Sequence, residues 1–186
     1  WRCVNPYCPA RQYEHLLHFV SKKAMDIDGL GPAVIRQLLD QALISDAADL
    51  YQLRAERLTA LERPGEKSAE NLINAINSSK SQPLSRLLFA LGIRHVGERA
   101  AKVLAENFAD IDALAAATAE QLTAIGEIGG IIAESVVSYF ADPLHLDLIA
   151  RLRAVEVNMR GARTSGRSDC TLSGKTVVIS GALPGI

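Results

Sequence analysis

Residues 27–39 read IDGLGPAVIRQLL, and three later stretches repeat that wording: LERPGEKSAENLI at 61–73, IRHVGERAAKVLA at 93–105 and IGEIGGIIAESVV at 125–137. Aligned on Gly31, Gly65, Gly97 and Gly129, they are separated by 34, 32 and 32 residues. A fixed period of this length marks a repeated supersecondary unit. An aliphatic residue stands four places before each glycine (Ile27, Leu61, Ile93, Ile125). Others follow about seven or eight places after it: Leu38 and Leu39, Leu72 and Ile73, Leu104, Val136 and Val137. Four places after the glycine, three repeats carry Ala69, Ala101 and Ala133, and the first carries Ile35. A small residue one turn into a helix lets a neighbouring helix approach closely. An alanine-rich helical array would explain the period and the alanines, but not the aliphatic residue ahead of every glycine.

Each repeat is therefore expected to be a helix, a tight turn, and a second helix starting near the glycine. The glycine is expected to take a positive φ and to let another backbone come near. The second helix opens with unpaired N–H groups and the positive end of its dipole, an anion site that needs no cationic side chain. The first repeat has the full aliphatic-x-Gly-aliphatic-Gly pattern, with Gly29 as the earlier glycine. The others replace that glycine by Arg63, His95 and Glu127, and the second also has Pro64 in place of the intervening aliphatic. Four such stretches in register resemble the helix-hairpin-helix motif, which binds DNA backbones across the minor groove without reading sequence. The expected fold class is mainly α, with four tandem helix-hairpin-helix repeats over residues 13–160.

Composition fits. Hydrophobic residues make up 48% of the 186, enough for a core, and aromatics only 5%. Net charge is −1, but residues 1–102 carry 14 Lys/Arg against 11 Asp/Glu and the remainder 6 against 10, so the halves are +3 and −4. No Lys or Arg lies between Lys102 and Arg151, a stretch holding eight acids, so a polyanion should prefer the first half. Apolar runs fall far short of a membrane span and the start has no signal-peptide pattern. Three cysteines argue against a disulfide framework and for a reducing compartment, the cytosol by default. The chain starts at Trp1 and stops in an apolar run at Ile186, and both ends are expected to be cuts through a longer protein.

The flanks sharpen the reading. In WRCVNPYCPA, residues 1–10, Cys3 and Cys8 are separated by four residues. Thiolates so spaced reach one tetrahedral zinc, which needs four ligands. Leading into HLLHFVSKKAMDIDGLG at 15–31, this pair resembles the second half of the four-cysteine zinc finger of bacterial NAD-dependent DNA ligases. The resemblance places the other cysteine pair upstream, so residues 1–12 by themselves are expected to hold zinc poorly or not at all. A Cys2His2 set of Cys3, Cys8, His15 and His18 is the alternative. His15 and His18, set among Leu16, Leu17 and Phe19, read more simply as packing or capping residues of a short helix. At the other end, GARTSGRSDCT (161–171) reads as a polar linker in which Cys170 is a spare thiol. LSGKTVVISGALPGI (172–186) reads as a turn, one strand from Thr176 to Ser180 and a glycine turn, resembling the opening of a truncated α/β BRCT domain, which ends the same ligases.

The resemblance covers nearly the whole chain, including LGIRHVGERAAKVLAENF at 91–108 and YFADPLHLDLIARLRA at 139–154. It implies that the adenylating lysine and the regions using NAD and magnesium lie N-terminal to the zinc finger, leaving no catalytic residue in this chain. Lys67 in GEKS lacks the glycine spacing of a phosphate loop. The implied role is the DNA-gripping part of a ligase that seals nicks in duplex DNA in replication and repair, a monomer of the bacterial cytoplasm, nucleoid-associated, with no membrane contact. Expected DNA-contacting residues are Gly29, Gly31, Gly65, Lys67, Arg94, Gly97, Arg99, Lys102 and Gly129, helped by Lys22 and Lys23; expected zinc ligands are Cys3 and Cys8. The fourth repeat is the weakest candidate: Glu127 and Glu134 have no basic neighbour in sequence, and a substitution at Gly129 is expected to act mainly through folding. Two other readings stay open. One is a helix-hairpin-helix module of another repair protein, of the excision-nuclease or branch-migration type. The other is a protein-interaction scaffold using the acidic second half.

Overall fold

A computed structural model describes residues 8–58 and 66–161. Among them the chain is almost wholly helical: α1 Pro9–Val20, α2 Pro32–Asp40, α3 Ala47–Leu50, α4 Ala55–Leu58, α5 Glu66–Ser79, α6 Leu84–Ala90, α7 Glu98–Asn107, α8 Ile111–Ala115, α9 Ala119–Thr123, α10 Gly130–Ala141 and α11 Pro143–Ala154. The helices pair as the repeats require: α1 with α2, α4 with α5, α6 with α7, and α9 with α10. Helices α3 and α8 connect successive hairpins, α1 packs on α6, and α11 closes the domain against α3 and α10. Cys3, the turn of the second repeat with Gly65, the linker beyond Gly161 and the segment 172–186 expected to begin the BRCT domain lie outside the described residues.

The repeat's apolar positions form one core. Ile27 and Ile93 are buried ahead of their glycines, and Ile125 is half-buried against the same cluster. Ala69 and Ala101 are fully buried and Ala133 nearly so, as close helix packing demands, and Ile35 fills the equivalent place in the first repeat. Leu38, Leu72, Leu104 and Val136 follow them inward, whereas Val137 stays exposed. His18 belongs to this packing: its Nε2 donates to the Phe89 carbonyl at 2.7 Å, and its ring meets Phe89 edge-on, binding α1 to α6.

Two polar features fasten the C-terminal part. From α11, Arg151 reaches Asp46 and Asp49 at the start of α3 (Nη2 to Asp49 Oδ1, 2.7 Å), and Arg153 reaches Asp112 on α8 at 2.6 Å. Beyond α11, residues 158–161 run as a strap across two junctions. Asn158 donates from its backbone to Lys80 and from its side chain to Gln82, while Ile111 donates to Met159 and Gly161 to Ala109. A side chain at Gly161 would sit 2.1 Å from the Phe108 carbonyl oxygen, so the strap passes too close to α7 for any other residue. Gly161, read from sequence as the first linker residue, is thus bonded to the domain.

Candidate nucleic-acid interface

The three described hairpin turns share one geometry. A β-turn runs from the aliphatic residue to the next one, closed in two repeats by Val96 N–H to Ile93 O (3.0 Å) and Ile128 N–H to Ile125 O (3.2 Å). Its third residue must have positive φ, and does: Gly29 at +88°, His95 at +63° and Glu127 at +75°. Two residues later Gly31, Gly97 and Gly129 are the N-caps of α2, α7 and α10, with φ of −75°, −86° and −81°. This corrects the expectation for those glycines. The left-handed residue is the earlier one, and the repeating glycine sits in extended backbone that any residue adopts. It also corrects the expectation for Gly129: neither conformation nor crowding requires glycine there.

Among the described residues no crowding explains the three N-cap glycines, since a Cβ on any of them would meet no atom within 4 Å. None offers a side chain to the bare N–H groups behind it. The chain caps helices elsewhere: Asp46 and Thr118 form capping boxes on α3 and α9, and Asp110 and Asp142 cap α8 and α11. Helices α1 and α6, entered through Cys8 and Pro83, also lack a side-chain cap. Among the described residues, α2, α7 and α10 are the helices that begin on a glycine with open space at its Cβ, exposed at Gly97 and Gly129 and half-buried at Gly31, although Pro32 removes one N–H from α2.

Ion pairs join the turns. Lys23, before the first hairpin turn, meets Glu98 at the start of α7 at 2.7 Å. The next residue, Arg99, donates from Nε and from Nη2 (2.8 Å) to the two carboxylate oxygens of Glu127 in the fourth turn. These hydrogen bonds hold the Glu127 carboxyl below its ordinary value. Hairpins one, three and four therefore sit side by side, with hairpin three in the middle. Arg99, expected from sequence to contact DNA, is bonded to Glu127, and Glu127, which has no basic neighbour in sequence, has one in space. Arg94, in the third turn, and Lys22 and Lys67 are exposed, and Lys102 lies 3.9 Å from Glu106 one turn along α7. Cys8 occupies the N-cap of α1; His18 is committed to Phe89 rather than turned toward it as a ligand set.

Comparison with known proteins follows this geometry. Residues 86–149 match the family model described as "Helix-hairpin-helix motif", and residues 21–78 match that described as "SAM-like Helix-hairpin-helix tandem". Together these bracket the two halves of the repeat array. Over 184 residues, 98% of this chain, it is 53% identical to a protein named DNA ligase from Symbiobacterium thermophilum. It is 53% identical over 188 residues to the DNA ligase of Gemmatimonas aurantiaca, and 53% identical over 184 to that of Anoxybacillus flavithermus. Over almost its whole length the chain is thus similar to one region of proteins named DNA ligase, and it carries helix-hairpin-helix repeats. It spans 27% of the length of these ligases, so the likeness covers one region of them. Sequence reasoning missed the pairing of Lys23 with Glu98 and of Arg99 with Glu127, because the partners are 75 and 28 residues apart. The left-handed turn position was in view: it is where Gly29 aligns with His95 and Glu127.

Proposed function

We propose that this chain is the duplex-gripping region of a bacterial NAD-dependent DNA ligase, holding nicked DNA by its phosphates while other regions of the protein perform the sealing chemistry. The three open glycine N-caps carry this reading. Each presents backbone N–H groups and a positive dipole end, with no side chain to fill the place of a phosphate oxygen. Gly31, Gly97 and Gly129 shape these ends, Gly29 shapes the first turn, and Gly65 holds the corresponding place in the second repeat. Lys67, Arg94, Arg99 and Lys102 add charge beside them. Such contacts read no base, so binding is indifferent to sequence and steeply salt-dependent. An array of hairpins that recur at fixed spacing suits the repeating phosphates of a duplex around a nick.

The test is affinity for nicked and intact duplexes of unrelated sequence, measured against salt. The expected result is tighter binding to the nicked duplex, no base preference, and a log–log salt slope of about −0.9 per phosphate engaged. Salt-independent binding, or a preferred base sequence, would rule the reading out.

The remaining parts of the proposal concern what lies around the grip. Residues 1–12 would form half of a zinc finger, 161–171 a linker and 172–186 the opening of a BRCT domain. Cys3 and Cys8 supply two thiolates where a structural zinc takes four ligands, and among the described residues no three His, Cys, Asp or Glu side chains gather for a metal. Two thiolates fill half of that tetrahedron, so the chain alone should hold well under one zinc per molecule. Metal analysis giving one tightly held zinc, lost on changing His15 or His18 to Ala, would favour the Cys2His2 set instead. NAD and magnesium would be used outside this region. Among the described residues no helix is long and apolar enough to cross a membrane, and the protein would act as a monomer on DNA in the bacterial cytoplasm.

A further inference from the structure

Glu127 sits where its own backbone disfavours it. It holds φ +75° at a place where the first repeat has Gly29, and left-handed backbone is strained for a non-glycine residue. His95 belongs to the residue types enriched there; glutamate does not. Whatever keeps a carboxylate at this turn is something glycine lacks. The structure shows what the side chain does: both oxygens accept from Arg99, on the facing hairpin, using the Nε–Nη2 edge of the guanidinium. The Nη1 end has no such engagement, and the Arg99 side chain remains 83% exposed. Arg99 is the second residue of α7, beside the bare N–H groups behind Gly97.

Building on the DNA-binding reading above, we propose that Glu127 is a positioning residue for Arg99. Reaching from the fourth hairpin, it holds the guanidinium of the third by one edge and leaves the other for the phosphate received at the start of α7. A free arginine side chain has much rotamer entropy to lose, and a two-point carboxylate grip removes part of that freedom before DNA arrives. The same carboxylate repels the phosphate. The two effects part company with salt: the Debye length shrinks from about 30 Å at 0.01 M to about 8 Å at 0.15 M, so repulsion fades while the contact pair, at hydrogen-bond distance, persists. Positioning dominates at physiological salt and repulsion at low salt.

The test is a double-mutant cycle on nicked-duplex affinity with the full 186-residue chain: wild type, Glu127→Gln, Arg99→Ala, and the two combined, at low and physiological salt, with melting temperatures alongside. At physiological salt Glu127→Gln should bind about threefold more weakly when Arg99 is present, the scale of an exposed pair. It should bind no more weakly than its parent when residue 99 is alanine. At low salt the loss should shrink or reverse. Glu127→Gly, which relieves the turn, should melt no lower than wild type and lose affinity as Glu127→Gln does. Equal strengthening in both backgrounds at both salts would make Glu127 a plain repulsive charge, and no change in either would make the pair idle; both overturn the proposal. Wild type binding without coupling defeats the positioning role alone, whereas wild type binding no duplex at all defeats the DNA reading beneath it.

Discussion

Replacing Gly97 by Asp should leave the protein as stable as before, or slightly more so, and should weaken its hold on nicked duplex at least tenfold at about 150 mM salt. The two halves of this result have separate causes. Gly97 has extended backbone and open space where a Cβ would stand, so aspartate enters without strain. As an N-cap it accepts from the first N–H groups of α7 and complements the dipole, an improvement over glycine of a few tenths of a kcal/mol. That same carboxylate then occupies the place of a phosphate oxygen and repels the next one. The salt slope should fall by about one unit, with base preference unchanged. Gly129→Asp should likewise keep its melting temperature, because its geometry matches. Its affinity loss should be smaller, since the fourth hairpin adds no Lys or Arg of its own and carries Glu127. Duplex affinity against salt for both variants, beside their melting curves, checks the pair. An unaltered affinity for Gly97→Asp would mean that the open N-caps do not receive phosphates.

The largest expected effect on stability comes from Arg151→Ala. Arg151 stands among three carboxylates, Asp46, Asp49 and Asp147, and is the cation that joins α11 to α3. Its removal takes away charge-assisted hydrogen bonds and leaves the carboxylates facing one another. Because the guanidinium is one-third exposed, solvent screens part of this. The expected cost is about 2 kcal/mol, or a melting temperature lowered by about 4–8 °C. Arg151→Met, which keeps the packing stem, should lose nearly as much. A methionine variant melting like wild type would assign the effect to packing.

Acid adds a second signature. Burial pushes the Asp49 carboxyl up, but hydrogen bonds from Ser45 and then the charge of Arg151 outweigh it, leaving the group below its ordinary 3.8. A depressed value in the folded state stabilises fully above the unfolded value and is lost as pH falls through the folded one, here below 3.8. Without Arg151 that loss should begin at higher pH, and acid-unfolding curves of the two proteins should show it.

The fold was legible because its signal is periodic. Ala69, Ala101 and Ala133 sit at one place in the repeat and all are buried in one core. The glycines were harder. Sequence shows that glycine recurs, but two physical reasons produce it, a left-handed turn and an open N-cap, and only backbone angles separate them. Gly29 serves the first, and Gly31, Gly97 and Gly129 the second. The cations were legible as a list and not as an arrangement. Arg99 and Lys23 spend hydrogen bonds on carboxylates from other hairpins, and nothing in local spacing predicts a partner that folding brings from a distance. The strap was hidden for the same reason: Gly161 looks like linker punctuation until α7 is placed against it.

That strap bears on when the domain is completed during synthesis. Asn158 bonds to Gln82 across 76 positions of chain, and Arg151 to Asp46 across 105. The early hairpins leave the ribosome long before the residues that fasten them. At synthesis rates of about 5–20 residues per second, several seconds pass in which hairpin one and its neighbours exist without α11 or the strap. The hairpin turns rest on local hydrogen bonds, but the junctions at 80–82 and 109–111 stay unfastened until residue 161 has emerged. The strap at 158–161 thus acts as a late latch that fastens a string of hairpins into one body.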